Sequence, residues 1–280
     1  MTMPTDSRRL PAPDISYNAK LFTEIEKLSL LDDEEKRADG RYVTQPRDVF
    51  LQCGVITQAK GSAYFEMNKT KVICSVYGPK DIEMREEFQI NKGKLKCELK
   101  YAPYSSPKHG DHIPGASDVE KSDILLEAIS SGVCLQRYPK SQIDVYVIVL
   151  EDDGSVMPAA ITAASVALVD AGIEMYDVIT ASSIRIAGQD TFIIDPTSSE
   201  EFSPLNLEKS NDLNQGMVMV ALLPSINQVS SVVSSGHLEC NVLQEAIRSC
   251  RYSAQNLHSI VRKCLVNSLK KILKQRNTAK

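Results

Sequence analysis

Apolar and polar positions follow their clearest pattern between Gln142 and Gly172, which predicts a strand, a turn and a helix. From Ile143 to Leu150, β-branched residues alternate with residues that are mostly apolar, as in a buried strand. The residues at 151–154, Glu-Asp-Asp-Gly, are typical of a turn. Apolar residues then fall on nearly every face of a helix from Met157 to Ala171, so this helix should be covered on almost all sides.

The same reasoning predicts further elements on both sides of this unit. The core side of the last helix should run from Leu243 to Leu269. We expect a flexible extension over 1–19, which is proline-rich, and one α/β domain over 20–280, because no repeat or linker divides the chain. The predicted strands are 50–56, 63–66, 72–77, 94–101, 192–194, 217–223 and 229–233, and the predicted helices are 21–28, 124–133 and 238–272.

The hairpin formed by strands 63–66 and 72–77 has more large apolar residues than one core can take. Tyr64, Phe65, Ile73, Val76 and Tyr77 cannot all point to one face of a pleated sheet. We therefore expect an edge of this hairpin, with Phe65 and Tyr77, to be buried against a partner.

Composition narrows the possible classes of protein. The chain has 280 residues, is 42% hydrophobic and carries a formal charge of −4, which argues against a general nucleic-acid coat protein. Seven cysteines without a Cys-x-x-Cys pair are typical of thiols in a reducing compartment. The sequence shows no secretory signal, and its apolar runs are too short to span a membrane. We expect an intracellular protein without a membrane partner.

A short His/Asp tract, with His109, Asp111 and His112, lies in a predicted loop rich in proline and glycine. Histidine and aspartate are common metal ligands, but no third cluster of ligands accompanies them. The tract is therefore interpreted as a solvated loop, and the sequence predicts neither a metal site nor a cofactor.

An ordered set of separated motifs resembles the RNase PH family of phosphorolytic exoribonucleases and their relatives in exosome rings. Any one motif is weak, but together they cover about 36–269. The motifs are Arg37-Ala-Asp39-Gly40-Arg41, Gly61-Ser62-Ala63-Tyr64-Phe65-Glu66, Thr70-Lys71-Val72, Gly78-Pro79, Asp153-Gly154, Ala159-Ala160-Ile161-Thr162, Asp170-Ala171-Gly172-Ile173, Ile194-Asp195-Pro196, Glu200-Glu201 and Asn227-Gln228-Val229.

The resemblance implies an α/β (α+β) fold like domain 2 of ribosomal protein S5, with paired β-α-β halves, mixed sheets and a long C-terminal helix. It also implies a ring of six related subunits around a pore for single-stranded RNA. The expected partners are other RNase PH-like ring subunits, cap subunits with RNA-binding domains and a separate hydrolytic nuclease. The expected compartments are nucleus, nucleolus and cytoplasm.

Two departures from the family pattern affect the chemistry. Active members have Asp-Gly-Gly-Thr-Arg where this chain has Asp153, then Gly154, Ser155, Val156 and Met157. A phosphate at this helix N-terminus would therefore lose a hydroxyl and a bidentate arginine. No arginine occurs between positions 85 and 137, although active members carry paired arginines there to hold the RNA backbone.

The acidic pair of the family is retained, since Asp195 matches the first catalytic acid and Glu201 occupies the place of the second. Such a pair can bind magnesium or protonate a leaving ribose oxygen, but only on a positioned substrate. The favoured interpretation is that Asp195 ends a strand. Arg37, Asp39 and Arg41 are likewise interpreted as a structural ion-pair cluster.

Four basic residues flank the loop after Gly78-Pro79, which faces the pore in the ring relatives: Lys80, Arg85, Lys92 and Lys94. We expect them to contact RNA phosphates, with ordinary surface lysines as the alternative.

The sequence therefore predicts a non-catalytic, structural subunit of an exosome ring that supports 3'-5' RNA processing and lines the RNA path. The alternative is an active phosphate-dependent exoribonuclease that uses Asp195 and Glu201. A nucleotide-binding protein of another class is disfavoured, because no Gly-x-x-x-x-Gly-Lys or Gly-x-Gly-x-x-Gly motif is present.

Overall fold

A five-stranded mixed sheet, sheet 1, is the larger of the two sheets in this computed structural model. The described residues are 36–82, 91–106, 109–110, 113–187, 191–201 and 214–278; the expected extension over 1–19 and the helix of 21–28 lie outside them. Sheet 1 has the order β1-β2-β3-β5-β4, and only β4 and β5 are parallel. Its strands are β1 (Val49–Cys53), β2 (Gly61–Met67), β3 (Thr70–Asp81), β4 (Lys94–Tyr101) and β5 (Ser141–Glu151).

Helix α1 (Ala116–Ser130) makes the crossover between the parallel strands β4 and β5, and a short 3-10 helix (Leu135–Arg137) precedes β5. Sheet 2 is antiparallel, with the order β7-β6-β8-β9. Its strands are β6 (Thr180–Ala187), β7 (Phe192–Ile194), β8 (Gln215–Leu223) and β9 (Gln228–His237); the remaining helices are α2 (Val156–Asp170), α3 (Ser198–Glu201) and α4 (Cys240–Thr278).

Helix α2 lies between the two sheets and forms the centre of the core, as its pattern predicts. All its residues from Pro158 to Leu168 are buried, because sheet 1 covers one side and β6 the other. The approach to sheet 1 is close: a Cβ atom on Gly61 would lie 2.2 Å from the backbone nitrogen of Ala171. Helix α4 packs on the opposite face of sheet 2, so the layers are sheet, helices, sheet and helix.

Only one face of β5 is buried in the core, which corrects the prediction of a fully buried strand. Ile143, Val145, Val147 and Val149 are at most 1% exposed, whereas Ile148 on the other face is 45% exposed. The outer face of sheet 1 is therefore only partly covered by the described residues: Ile148 is exposed, whereas Asp144, which pairs with Lys80, is 2% exposed.

The prediction for the hairpin of β2 and β3 is wrong in two respects. Neither strand is an edge, because β2 pairs with β1 and β3 pairs with β5. Phe65 is fully buried within the subunit, so it offers no surface to a partner. Tyr77 does lie on the outer face of sheet 1, where its ring meets Tyr146 edge-on at 5.8 Å between ring centroids.

Strand β6 was not predicted, and the core side of α4 is shorter than expected. In α4 the core stripe includes Cys250, Ala254 and Val261 and continues to the half-buried Leu265, but Leu269 is 59% exposed.

All seven cysteines are thiols, of which Cys240 is exposed. Among the described helices, none has the length and apolar character needed to cross a membrane.

Candidate functional site

The loop before α2 takes a conformation that brings its backbone against residues 196–198. Gly154 has a φ of +85°, and a Cβ atom there would lie 2.6 Å from the carbonyl oxygen of Pro196. Only glycine fits this position. Ser155, with a φ of +53°, donates its hydroxyl to the same carbonyl at 3.0 Å.

The side chain of Glu201 occupies the position where an anion would bind at the start of α2. Its Oε1 atom accepts a hydrogen bond of 2.7 Å from the backbone N–H of Ser155. A helix N-terminus offers such amides to phosphates and carboxylates alike. Burial raises the pKa of Glu201 to about 7, although the hydrogen bond from Ser155 favours its ionised form.

Asp195 is held by a bidentate ion pair with Arg47. The Nε and Nη2 atoms of Arg47 donate to the two carboxylate oxygens at 2.8 and 2.7 Å, and its backbone N–H donates at 3.0 Å. Burial opposes ionisation of Asp195, but the hydrogen bonds and charge of Arg47 outweigh it and hold the pKa of Asp195 below its ordinary value. The φ of +53° at Asp195 is uncommon for a residue with a Cβ atom, and such conformations cluster at functional sites.

Arg47 is the residue that joins the loop to the acidic pair, and the sequence analysis missed it. Its guanidinium also donates to the carbonyl oxygens of Asp153 at 2.9 Å and Gly154 at 3.0 Å. A buried aspartate requires a positive partner, but the burial of Asp195 is visible only in the structure, so the sequence offered no signal for this pair. Asp195 and Arg47 are 148 positions apart, so spacing gave no indication of which arginine it was.

The entry motif forms a structural cluster, as interpreted from the sequence. Arg37 is 1% exposed and binds Glu200 through Nε at 2.8 Å and Nη2 at 2.5 Å. It also donates to the carbonyl oxygens of Ile194 and Asp195. Arg41 pairs with Asp39 at 2.6 Å within the segment before β1, and the bonds of Arg37 fix this segment against α3 and β7.

A cleft of about 350 Å³ opens beside Glu201, between α1 and sheet 2. Lys121 provides a positive charge in it, but its Nζ atom lies 3.0 Å from the hydroxyl of Tyr101 and 4.2 Å from the centre of that ring. The walls are mostly apolar and include four methionine or proline side chains at the start of α2 and on β8. The lining residues are Tyr101, Lys121, Ile124, Asp152, Val156, Met157, Pro158, Glu201, Met217, Met219, Val233 and Ser235.

The acidic pair does not fit a magnesium site. Both oxygens of Asp195 already accept hydrogen bonds from Arg47, and Arg41 lies 3.8 Å from one of them, so a cation would meet two guanidinium groups. Among the described residues no group of three or more His, Cys, Asp or Glu side chains is placed to hold a metal. His109 lies in a loop as expected, whereas Asp111 and His112 are outside the described residues.

Comparisons with known proteins agree with the motifs. The 3' exoribonuclease family, domain 1, matches residues 45–174. The exosome complex component MTR3 of Homo sapiens is 33% identical, over 96% of this chain and 97% of its own length. The chain belongs to the RNase PH family. The exosome complex component RRP41-like of Arabidopsis thaliana is 34% identical, over 83% of this chain and 85% of its own length.

Solved structures confirm the RNase PH fold. The crystal structure of rice Rrp46 superposes with a TM-score of 0.67 at 23% identity, over 81% of this chain and 98% of that one. A chain of the Archaeoglobus fulgidus exosome with RNA bound to the active site superposes with a TM-score of 0.68 at 20% identity, over 81% and 92%.

The basic residues expected to bind RNA lie far from the acidic pair of this RNase PH domain. Lys80 and Lys94 both face Gln142 in register, at the start of β5, and the exposed Lys92 is close to them in the chain. The loop with Ser155 follows the other end of β5, roughly 33 Å away at about 3.3 Å per residue. Arg85 lies outside the described residues, and the role of all four stays a prediction.

Proposed function

We propose that this chain is a non-catalytic, structural subunit of an RNA exosome ring. The observation that carries the proposal is the similarity to MTR3 over nearly the whole length of both chains. The family fold, the motif set and the second match to an exosome component support the same function.

The absence of catalysis is supported by three features of the site. The loop carries Val156 and Met157 instead of the hydroxyl and arginine that would hold phosphate. Glu201 accepts the hydrogen bond from the backbone N–H of Ser155, and its carboxylate would repel an incoming phosphate. Asp195 is already neutralised by Arg47, which makes it a poor proton donor.

In this proposal the subunit completes the ring and lines the RNA path with its basic end, which is the set of Lys80, Arg85, Lys92 and Lys94. Its neighbours would be other RNase PH-like subunits, with cap subunits that carry RNA-binding domains above them and a separate hydrolytic nuclease for cleavage. The proposed compartments are nucleus, nucleolus and cytoplasm.

The membership of the ring is tested by affinity purification of the tagged chain from its native cells, followed by native mass measurement. We expect several related subunits to co-purify in one complex of defined mass. Recovery of the chain as a single species without RNase PH-like partners would contradict the proposal.

The second candidate function, phosphorolytic exoribonuclease, is favoured by one observation: Asp195 and Glu201 both lie at the start of α2, where the family has its catalytic acids. We expect the purified chain and its complex to release no nucleoside diphosphates that depend on this subunit. The assay uses single-stranded RNA with inorganic phosphate, with and without magnesium. A phosphate-dependent product that disappears in Asp195→Ala would favour the enzyme instead.

A further inference from the structure

The edge strands of the two sheets differ in whether other parts of the subunit cover them. Strand β7, at one edge of sheet 2, is only three residues long and is covered by the segment before β1. The backbone N–H of Ile194 donates to the carbonyl oxygen of Val43 at 3.1 Å, and its carbonyl oxygen accepts from Arg37 at 2.7 Å. Short, covered strands of this kind do not invite further pairing.

Both edges of sheet 1 are protected as well. In β1 the carbonyl oxygen of Leu51 accepts a hydrogen bond from the thiol of Cys264 on α4, at 3.2 Å. In β4 the N–H of Leu99 donates to the hydroxyl of Ser122 on α1 at 2.9 Å, and lysines occupy positions 94, 96 and 100 along the strand. Lysines and covering helices are the usual means of blocking a strand edge.

Strand β9 is the exception over most of its length; near its start the hydroxyl of Ser230 hydrogen-bonds to the carbonyl oxygen of Ala128 and to Ser131 at the end of α1. It is ten residues long, from Gln228 to His237, and contains no Asp, Glu, Lys, Arg or Pro. Within the described residues no backbone hydrogen bond joins its outer edge to another element. A bulge at Ser230 interrupts the pairing with β8, but the residues from Ser231 onward pair in an unbroken register. A long, uncharged and open edge is a template for another strand.

The side chains of β9 are also incompletely covered. Val232 lies opposite Val220 on the face of sheet 2 that α4 covers farther inward, yet it is 44% exposed. Val233 and Ser235 point to the other face and line the cleft beside Glu201. The cleft therefore reaches the open edge of sheet 2, and a strand added to β9 would close the cleft on this side.

Resting on the proposed function, we infer that the edge of β9 pairs with an extended strand of a different subunit of the ring. A peptide strand offers the alternating N–H and C=O groups that this edge requires. RNA does not fit, because β9 supplies no cation for its phosphates. The partner strand should be uncharged, with β-branched or small residues facing Val232.

Hydrogen exchange read by mass spectrometry tests the contact directly. The free chain and the purified complex are compared over residues 228–237. We expect slow exchange in the complex for outward amides of β9 that exchange rapidly in the free chain. The amides of β7 serve as an internal control, because their edge is already covered within the subunit.

A paired substitution tests its contribution to assembly. Val232→Lys places a charge on the β9 edge and should lower recovery of the chain in the complex about tenfold or more, because the lysine would be buried without a partner. Val266→Lys is the matched control, since Val266 on α4 is 41% exposed and lies away from β9. Circular dichroism of both variants is the check that each of them folds.

The results separate this inference from the proposed function. If the chain joins the complex while β9 stays unprotected and Val232→Lys assembles normally, the inference is wrong and the proposed function stands. If no related subunit co-purifies, the proposed function fails and takes the inference with it. Protection of β9 in a dimer of this chain alone would also overturn the inference, since the partner would then be a second copy.

Discussion

Glu201 shows how a single side chain can close a binding position. Its carboxylate takes the hydrogen bond from Ser155 that a phosphate would take in an active relative. Burial disfavours the ionised form of Glu201 and raises its pKa to about 7. At neutral pH the group is therefore divided between its protonated and ionised forms, whereas Asp195 stays ionised beside Arg47.

The variant Glu201→Gln should gain stability relative to the unsubstituted chain as pH rises from about 4.5 to about 7. In this range the folded state binds more protons at Glu201 than the unfolded state, so rising pH lowers the free energy of unfolding. Glutamine does not titrate and can still accept the hydrogen bond from Ser155. The pKa difference corresponds to at most about 3 kcal/mol.

The check is urea unfolding at a series of pH values for both proteins. Glu245→Gln is the control, because Glu245 is exposed on α4. Parallel pH curves for the unsubstituted chain and Glu201→Gln would show that the pKa of Glu201 is the same in the folded and unfolded states, which would contradict the prediction.

At the scale of the elements, small residues let α2 sit between two sheets. Strand β6 has the sequence Thr-Ala-Ser-Ser-Ile-Arg-Ile-Ala, and its Ser183 hydroxyl lies 2.9 Å from that of Ser155. Larger, β-branched residues would have made β6 easy to recognise as a strand. They would also have kept α2 farther from sheet 2, so the feature that hid β6 in the sequence is the one the packing requires.

The variant Gly61→Ala should destabilise the fold by about 1–3 kcal/mol or more, because its methyl group would lie 2.4 Å from the carbonyl oxygen of Ala167. Backbone atoms of α2 cannot move away without shifting the helix. Denaturant unfolding followed by circular dichroism measures the effect. Gly110→Ala is the control, since no atom lies within 4 Å of its added Cβ. Equal midpoints for the two variants would contradict the close approach.

At the scale of the whole molecule, the sequence predicted regular patterns well and long-range pairs poorly. The alternation along β4 and the run forming β7 gave the bounds found in the structure. The motif set identified the family, and with it the fold. The ion pair of Arg47 with Asp195 was not predictable, because neither residue type nor spacing distinguishes it from a surface pair. The outer face of sheet 1 was misjudged, since Ile148 and Tyr146 look like core residues in sequence.

Removal of the basic end should alter RNA binding by the assembled ring. We expect the triple variant Arg85→Ala, Lys92→Ala and Lys94→Ala to reduce the dependence of log Kd on log salt by about one for each phosphate that the ring no longer binds. The measurement is binding of single-stranded RNA over a range of salt concentrations. The control removes three exposed lysines of α4, at positions 263, 270 and 271. An unchanged salt dependence in the first variant would make its residues ordinary surface charges.

The two buried arginines also impose an order of events during translation. Arg37 and Glu200 are 163 positions apart, and Arg47 and Asp195 are 148 apart. At about 5–20 residues per second, roughly 10–30 s pass between the synthesis of each arginine and the synthesis of its carboxylate partner. A chain that ends at residue 174 should not fold cooperatively, because it would bury unpaired guanidinium groups; a cooperative unfolding transition for 36–174 would disprove this. The segment with Arg37 and Arg47 is therefore synthesised early but is among the last to reach its final position.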